Sequence, residues 1–196
     1  MLRNNVEFKN VPVLTQSSIP TSNNVLKAVD GATMAKINKQ AINQIVANNY
    51  PAIQIEVPYE GKSIKVLLYK QEVLADNFHV DTDKAVNVAF EAGVHYRGTI
   101  SGNNTAVAAF SFFKNQMQGI VSADEINNLV VAKIDVKGNT DDYIVYSDSK
   151  LKVLNEFSCA VIDEDTHQDA QEIPQAKGIQ TTKCVTMYFE IDHDLF

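Results

Sequence analysis

The chain has 196 residues, with 45% of them hydrophobic and 21% charged, which is the composition of a globular domain and not of a disordered one. The formal net charge of -7 and a pI near 5.0 leave no basic excess with which to neutralise phosphates, so nucleic-acid binding is not expected. No apolar run is long enough to span a bilayer, and Met1 to Glu7 lacks the apolar core of a signal peptide. That fits a cytosolic protein, and fits equally a secreted one whose signal has been removed.

Residues 1–24 are polar and irregular, with Pro12, Pro20 and a Ser/Thr/Asn cluster, and read as an extended lead-in. One amphipathic helix is expected near residues 33–48, because Met34, Ile37, Ala41, Ile42, Ile45 and Val46 recur at three- and four-residue spacing. Pro51 pushes Tyr50 out of the helical region and ends it. From there the period changes to two. Ile53, Ile55 and Val57 alternate with polar residues, and a turn at Tyr59-Glu60-Gly61-Lys62 leads into a second strand over 64–74. After a looser stretch (76–87), strands are expected at 94–100, 106–113, 118–122, 129–135 and 143–146, with turn residues between them. Short connectors imply an antiparallel meander. The fold class is therefore α+β, mainly β: one or more antiparallel β-meander sheets with a single amphipathic helix, in a domain over 25–159. Residues 160–182, acidic and without apolar period, read as a solvated linker. Met187, Phe189 and Ile191 alternate again in 183–196, as the first strand of a second, truncated folding unit.

A search for chemistry finds no catalytic constellation. The four histidines, His79, His95, His167 and His193, include no pair at zinc-helix spacing, and His95 reads as a sheet-surface residue. No Gly-x-Ser-x-Gly elbow and no glycine-rich phosphate loop occur; Gly98 and Gly102 suit a bend at a strand end. Asp81 and Asp83 start like a calcium loop, but Ala85 and Val86 break the pattern. The Asp135 to Asp142 stretch reads as a solvated hairpin tip. Asn103-Asn104-Thr105 has glycosylation spacing, a frequent chance match. Cys159 and Cys184 pair with each other, pair with cysteines elsewhere, or stay free. Cys159 is a small apolar residue at the edge of the core, or a thiol able to reach a metal in a neighbouring domain, where a thiolate takes the open position of a catalytic zinc.

The segment from His95 to Ser111 (with Tyr96-Arg97-Gly98), followed by Met117-Gln118-Gly119-Ile120-Val121, resembles the pro-domain of reprolysin-like (adamalysin-type) zinc metallopeptidases. Tyr143-Ile144-Val145-Tyr146 is similar to the strand before the switch region of bacterial members, and Phe157-Ser158-Cys159 to their Phe-x-Cys-Gly segment, with Ala160 standing where the family prefers Gly. Cys184 to Phe196 resembles the first strand of their catalytic domain. The resemblance implies a non-catalytic pro-domain that assists folding and maintains latency of a secreted or cell-surface metalloendopeptidase, with Cys159 as the inhibitory zinc ligand. It implies activation cleavage within residues 163–183, with Lys177 and Lys183 as candidate sites, and a Cys184 that stays with the catalytic domain in a disulfide or as a free cysteine. The expected partner is the cognate catalytic domain of the same precursor. No cofactor is expected in this chain; zinc is expected in the missing catalytic domain, whose zinc helix is not in this sequence. The alternative is a free-standing extracellular β-rich binding or adhesion module without a protease.

Overall fold

Two short strands open the chain, β1 (Lys9–Asn10) and β2 (Leu14–Gln16), followed by helix α1 (Asn23–Ala28), strand β3 (Thr33–Ile37) and helix α2 (Lys39–Asn48). Seven strands follow: β4 (Ala52–Tyr59), β5 (Lys62–Gln71), β6 (Val94–Ile100), β7 (Asn103–Phe113), β8 (Gln116–Ala123), β9 (Asn127–Lys133) and β10 (Asp142–Ser147), and then one 3-10 turn, Asp148–Lys150. The computed structural model describes residues 6–18 and 23–152, all within a unit spanning Met1–Leu154.

All ten strands among the described residues belong to one sheet in the order β1-β4-β5-β6-β7-β8-β9-β10-β3-β2. From β4 to β10 each strand pairs antiparallel with the next, as their short connectors require. The mainly-β α+β class holds, with one correction: the sheet is mixed. Strand β1 runs parallel to β4, with Lys9 beside Ile53 and Asn10 beside Gln54.

The two ends of this order, β1 and β2, are separated in the chain by only Val11, Pro12 and Val13. Val11 donates its N–H to the Gln54 carbonyl at 2.9 Å, on the β4 side, while the Val13 carbonyl accepts from Asn38 N–H at 2.8 Å, beside β3. Pro12, which has no N–H to donate, sits exposed between them. One short stretch therefore stitches both margins, and the sheet curls around its own interior. Val11, Val13 and Leu14 are buried there. The part of the expected lead-in that covers residues 9–16 is thus integral to the core.

The expected helix also divides. Met34 and Ile37 lie on β3, and Asn38 makes the break: its side chain accepts from Ala41 N–H at 3.1 Å and caps α2. At the other end Asn49 is left-handed (φ 55) and its N–H returns to the Ile45 carbonyl. Ala41, Ile42 and Ile45 face inward and α2 packs on β7 and β8. Asn43 and Asn115, the latter in the β7–β8 turn, exchange two hydrogen bonds of 2.8 and 2.9 Å that fix the helix in place.

The interior is a single apolar cluster drawn from the inner faces of nearly every strand. Each fully buried Leu, Ile or Phe contributes about 1.5–3 kcal/mol. The two fully buried phenols keep partners: Tyr96 donates to the Tyr50 carbonyl at 2.8 Å, and Tyr143 accepts from Met117 N–H at 3.0 Å. Burial pushes the Tyr96 phenol up to about 12, with the neighbouring Tyr50 adding to it, and raises that of Tyr143. At the end of the described chain Leu151 bridges to Val29, and Lys152 donates its N–H to the Ala28 carbonyl at 2.9 Å.

Candidate functional site

Cys159, Cys184, Lys177, Lys183, His167 and His193 all lie outside the described residues. Among the described residues, no group of three or more His, Cys, Asp or Glu is placed to hold a metal ion. The carboxylates noted in the sequence have local work. Asp81 accepts from Asn87 N–H at 2.7 Å and shapes the long β5–β6 loop. The turn between β9 and β10 is closed by Asn139, whose amide donates to the Ile134 and Asp142 carbonyls and whose oxygen accepts from the N–H groups of Asp141 and Asp142.

The residues that carry the family resemblance have packing roles. Tyr96 is buried. A Cβ at Gly98 would stand 1.8 Å from the Leu67 carbonyl oxygen, so only glycine lets β6 lie against β5 there. A Cβ at Gly119 would stand 2.2 Å from the Phe110 ring, which instead covers the glycine across the β7–β8 pair.

The hairpin of β6 and β7 also assembles a pair that linear reading leaves apart. Near its turn Ile100 pairs with Asn103, but further along Gly98 pairs with Ala108, so residues 104–107 bulge opposite Thr99. Side chains hold the bulge. The Thr99 hydroxyl lies 2.5 and 2.8 Å from the carbonyl oxygens of Asn103 and Ala106, and the Asn103 side-chain oxygen accepts from the N–H groups of Thr105 and Ala106. The shifted register sets His95 directly opposite Ser111.

The two side chains meet at 2.9 Å, His95 Nδ1 to Ser111 Oγ. The other ring nitrogen, Nε2, lies 2.9 Å from the Ala92 carbonyl oxygen. A carbonyl only accepts, so in the neutral ring Nε2 carries the proton; Nδ1 is then the acceptor and Ser111 donates to it. Both residues are half-buried. The Phe113 ring stands edge-on to the imidazole, with centroids 6.0 Å apart. Phe113 reaches that position because Gly93, at φ +67, has no Cβ; one would lie 2.6 Å from the ring. The end of the β5–β6 loop is tied down beside it, since Glu91 accepts from Lys114 N–H. On the far side of Ser111 the register partner in β8 is Gln118.

The pair was missed in the sequence because an unbulged hairpin would put His95 beside Ala108. The signal available was Asn103-x-Thr105 with Thr99, side chains suited to stabilising a bulge.

Comparisons of the chain with family models, with curated proteins and with solved structures return no match. Among the described residues no helix is long and apolar enough to cross a membrane.

Proposed function

We propose that this chain is the pro-domain, without peptidase activity of its own, of a secreted zinc metallopeptidase precursor, which assists folding of the peptidase and holds it latent. The reading starts from the resemblance of the β6–β8 region and of the Phe157-Ser158-Cys159 segment to reprolysin-like pro-domains. The observation that supports it most directly is how residues 151–152 are held. Leu151 and Lys152 are tied to Val29 and Ala28, so this point of the chain is fixed on the domain. Cys159 follows Lys152 by seven residues, a length of chain that reaches at most roughly 25 Å when extended. In this reading the domain docks beside the active-site cleft and the Cys159 thiolate takes the fourth position on the peptidase's zinc, where the hydrolytic water belongs. Cleavage at Lys177 or Lys183 then separates the two parts, and Cys184 leaves with the peptidase.

The test uses the peptidase domain encoded downstream in the same reading frame, made separately. The chain should inhibit it, and a Cys159→Ala chain should inhibit it markedly less. Equal inhibition by both removes the zinc-ligand role. Inhibition by neither, or a frame that encodes no zinc-binding helix, removes the latency function and leaves the binding-module alternative.

A further inference from the structure

We propose that Ser111 is a nucleophile activated by His95, and that this outer face of the β6–β7–β8 sheet carries out slow acyl transfer from small activated esters. The site is independent of Cys159 and of the pro-domain reading.

The arrangement contains the three parts that activate a hydroxyl: a nucleophile, a base within hydrogen-bond reach, and a group that orients the base. Ser111 Oγ and His95 Nδ1 are 2.9 Å apart, and the Ala92 carbonyl, at 2.9 Å from Nε2, holds the tautomer in which Nδ1 has its lone pair toward the hydroxyl. The carbonyl here does the orienting that a carboxylate does elsewhere. The bonds come from three segments held by the fold: β7, β6 and the end of the β5–β6 loop.

Two side chains able to donate to the charge that develops on the acyl oxygen lie on the same face. Gln118 is the register partner of Ser111 on β8, and Arg97, the next residue after His95 on that face of β6, pairs with Ala109, the neighbour of Ser111 on that face of β7; both are exposed. Phe113, two residues beyond Ser111 on that face, offers a flat apolar wall for the acyl group. The site is an open surface, so it suits a small ester with an apolar acyl part and selects weakly.

The chemistry balances without a further reagent. Ser111 Oγ adds to the acyl carbon and its proton passes to His95 Nδ1. The alcohol then leaves, taking that proton, and the serine is acylated. Water adds to the acyl-serine with the same base accepting its proton, the acid departs, and the proton returns to Ser111 Oγ.

The intact chain is treated with 4-nitrophenyl acetate and, separately, with a fluorophosphonate, and the labelled residue is mapped by mass spectrometry. One label per chain on Ser111 is expected, formed faster than at any other hydroxyl of the chain. Ser111→Ala should abolish it, and His95→Gln should slow it about 100-fold. Circular dichroism checks that each variant is folded. Labels scattered over other hydroxyls or lysines, or an unchanged rate in folded His95→Gln, overturn the proposal. Should that variant unfold, the unsubstituted chain decides: a Ser111 that labels no faster than the chain's other serines also overturns it.

Discussion

Met117 donates its backbone N–H to the hydroxyl of Tyr143 at 3.0 Å, although strand β9 lies between their strands. The bond therefore crosses the inside of the curled sheet instead of following its ladder. Both residues are buried, Tyr143 at 0% and Met117 at 3% exposure, so no water is at hand to replace either partner. Tyr143→Phe keeps the ring and strands the amide. An unsatisfied buried donor costs about 1–3 kcal/mol. Urea denaturation of this variant should show a loss in that range, with the slope of the transition unchanged.

The buried phenols also set an alkaline limit. Tyr96 has its phenol raised to about 12, chiefly by burial, and Tyr143 is raised by the same cause. Below the ordinary phenol value of about 10 both folded and unfolded chains keep these protons, and stability does not depend on them. Above it the unfolded chain ionises first, so it binds fewer protons than the folded one and stability falls as pH rises, through roughly pH 10 to 12. Denaturation midpoints at pH 9 and pH 11 should differ accordingly, and Tyr96→Phe should flatten the fall.

Three glycines should rank in a fixed order on substitution by alanine. At Gly98 the new Cβ would meet the Leu67 carbonyl at 1.8 Å, a backbone atom that moves only if β5 and β6 separate; no folded protein is expected. At Gly119 the obstacle is the Phe110 ring at 2.2 Å, which can be displaced at a cost of about 1–3 kcal/mol. Gly102 has open space around it and only its φ of +83 to object, worth about 1 kcal/mol. Thermal unfolding of the three variants checks the order.

The bulge opposite Thr99 makes its own prediction. Thr99→Val removes the hydroxyl that sits between the Asn103 and Ala106 carbonyls while keeping a β-branched side chain. A loss of about 1 kcal/mol is expected. The Hα–Hα nuclear Overhauser contact between the opposed His95 and Ser111 should weaken as the shifted register loosens. An undiminished contact with unchanged stability would show that Asn103 alone holds the bulge.

These particulars also mark what could be read in the sequence. The seven-strand run from β4 to β10 was legible because each strand is long enough to display a period of two and each connector carries turn residues. The core of the helix was legible too, but its start was not. Met34 faces away from the interior and is nevertheless 7% exposed, so β3 is apolar on both faces and its residues fall in with the helical spacing that follows. Asn38 was the available marker. Strands of two and three residues, β1 and β2, have no period to read; closure of the sheet makes them. The opposition of His95 and Ser111 depends on a register shift made by side-chain hydrogen bonds, which spacing alone does not encode. Cys159, Cys184, Lys177 and Lys183 lie beyond the described residues, so their roles rest on the sequence.

The stretch from Lys9 to Gln16 satisfies amide and carbonyl groups along β4 and β3 together. Were it to detach, two strand margins would be laid bare in a single event, each a template on which another chain can assemble. Eight residues near the start of the chain thereby govern how readily this protein aggregates, and a truncation there should be felt first as insolubility.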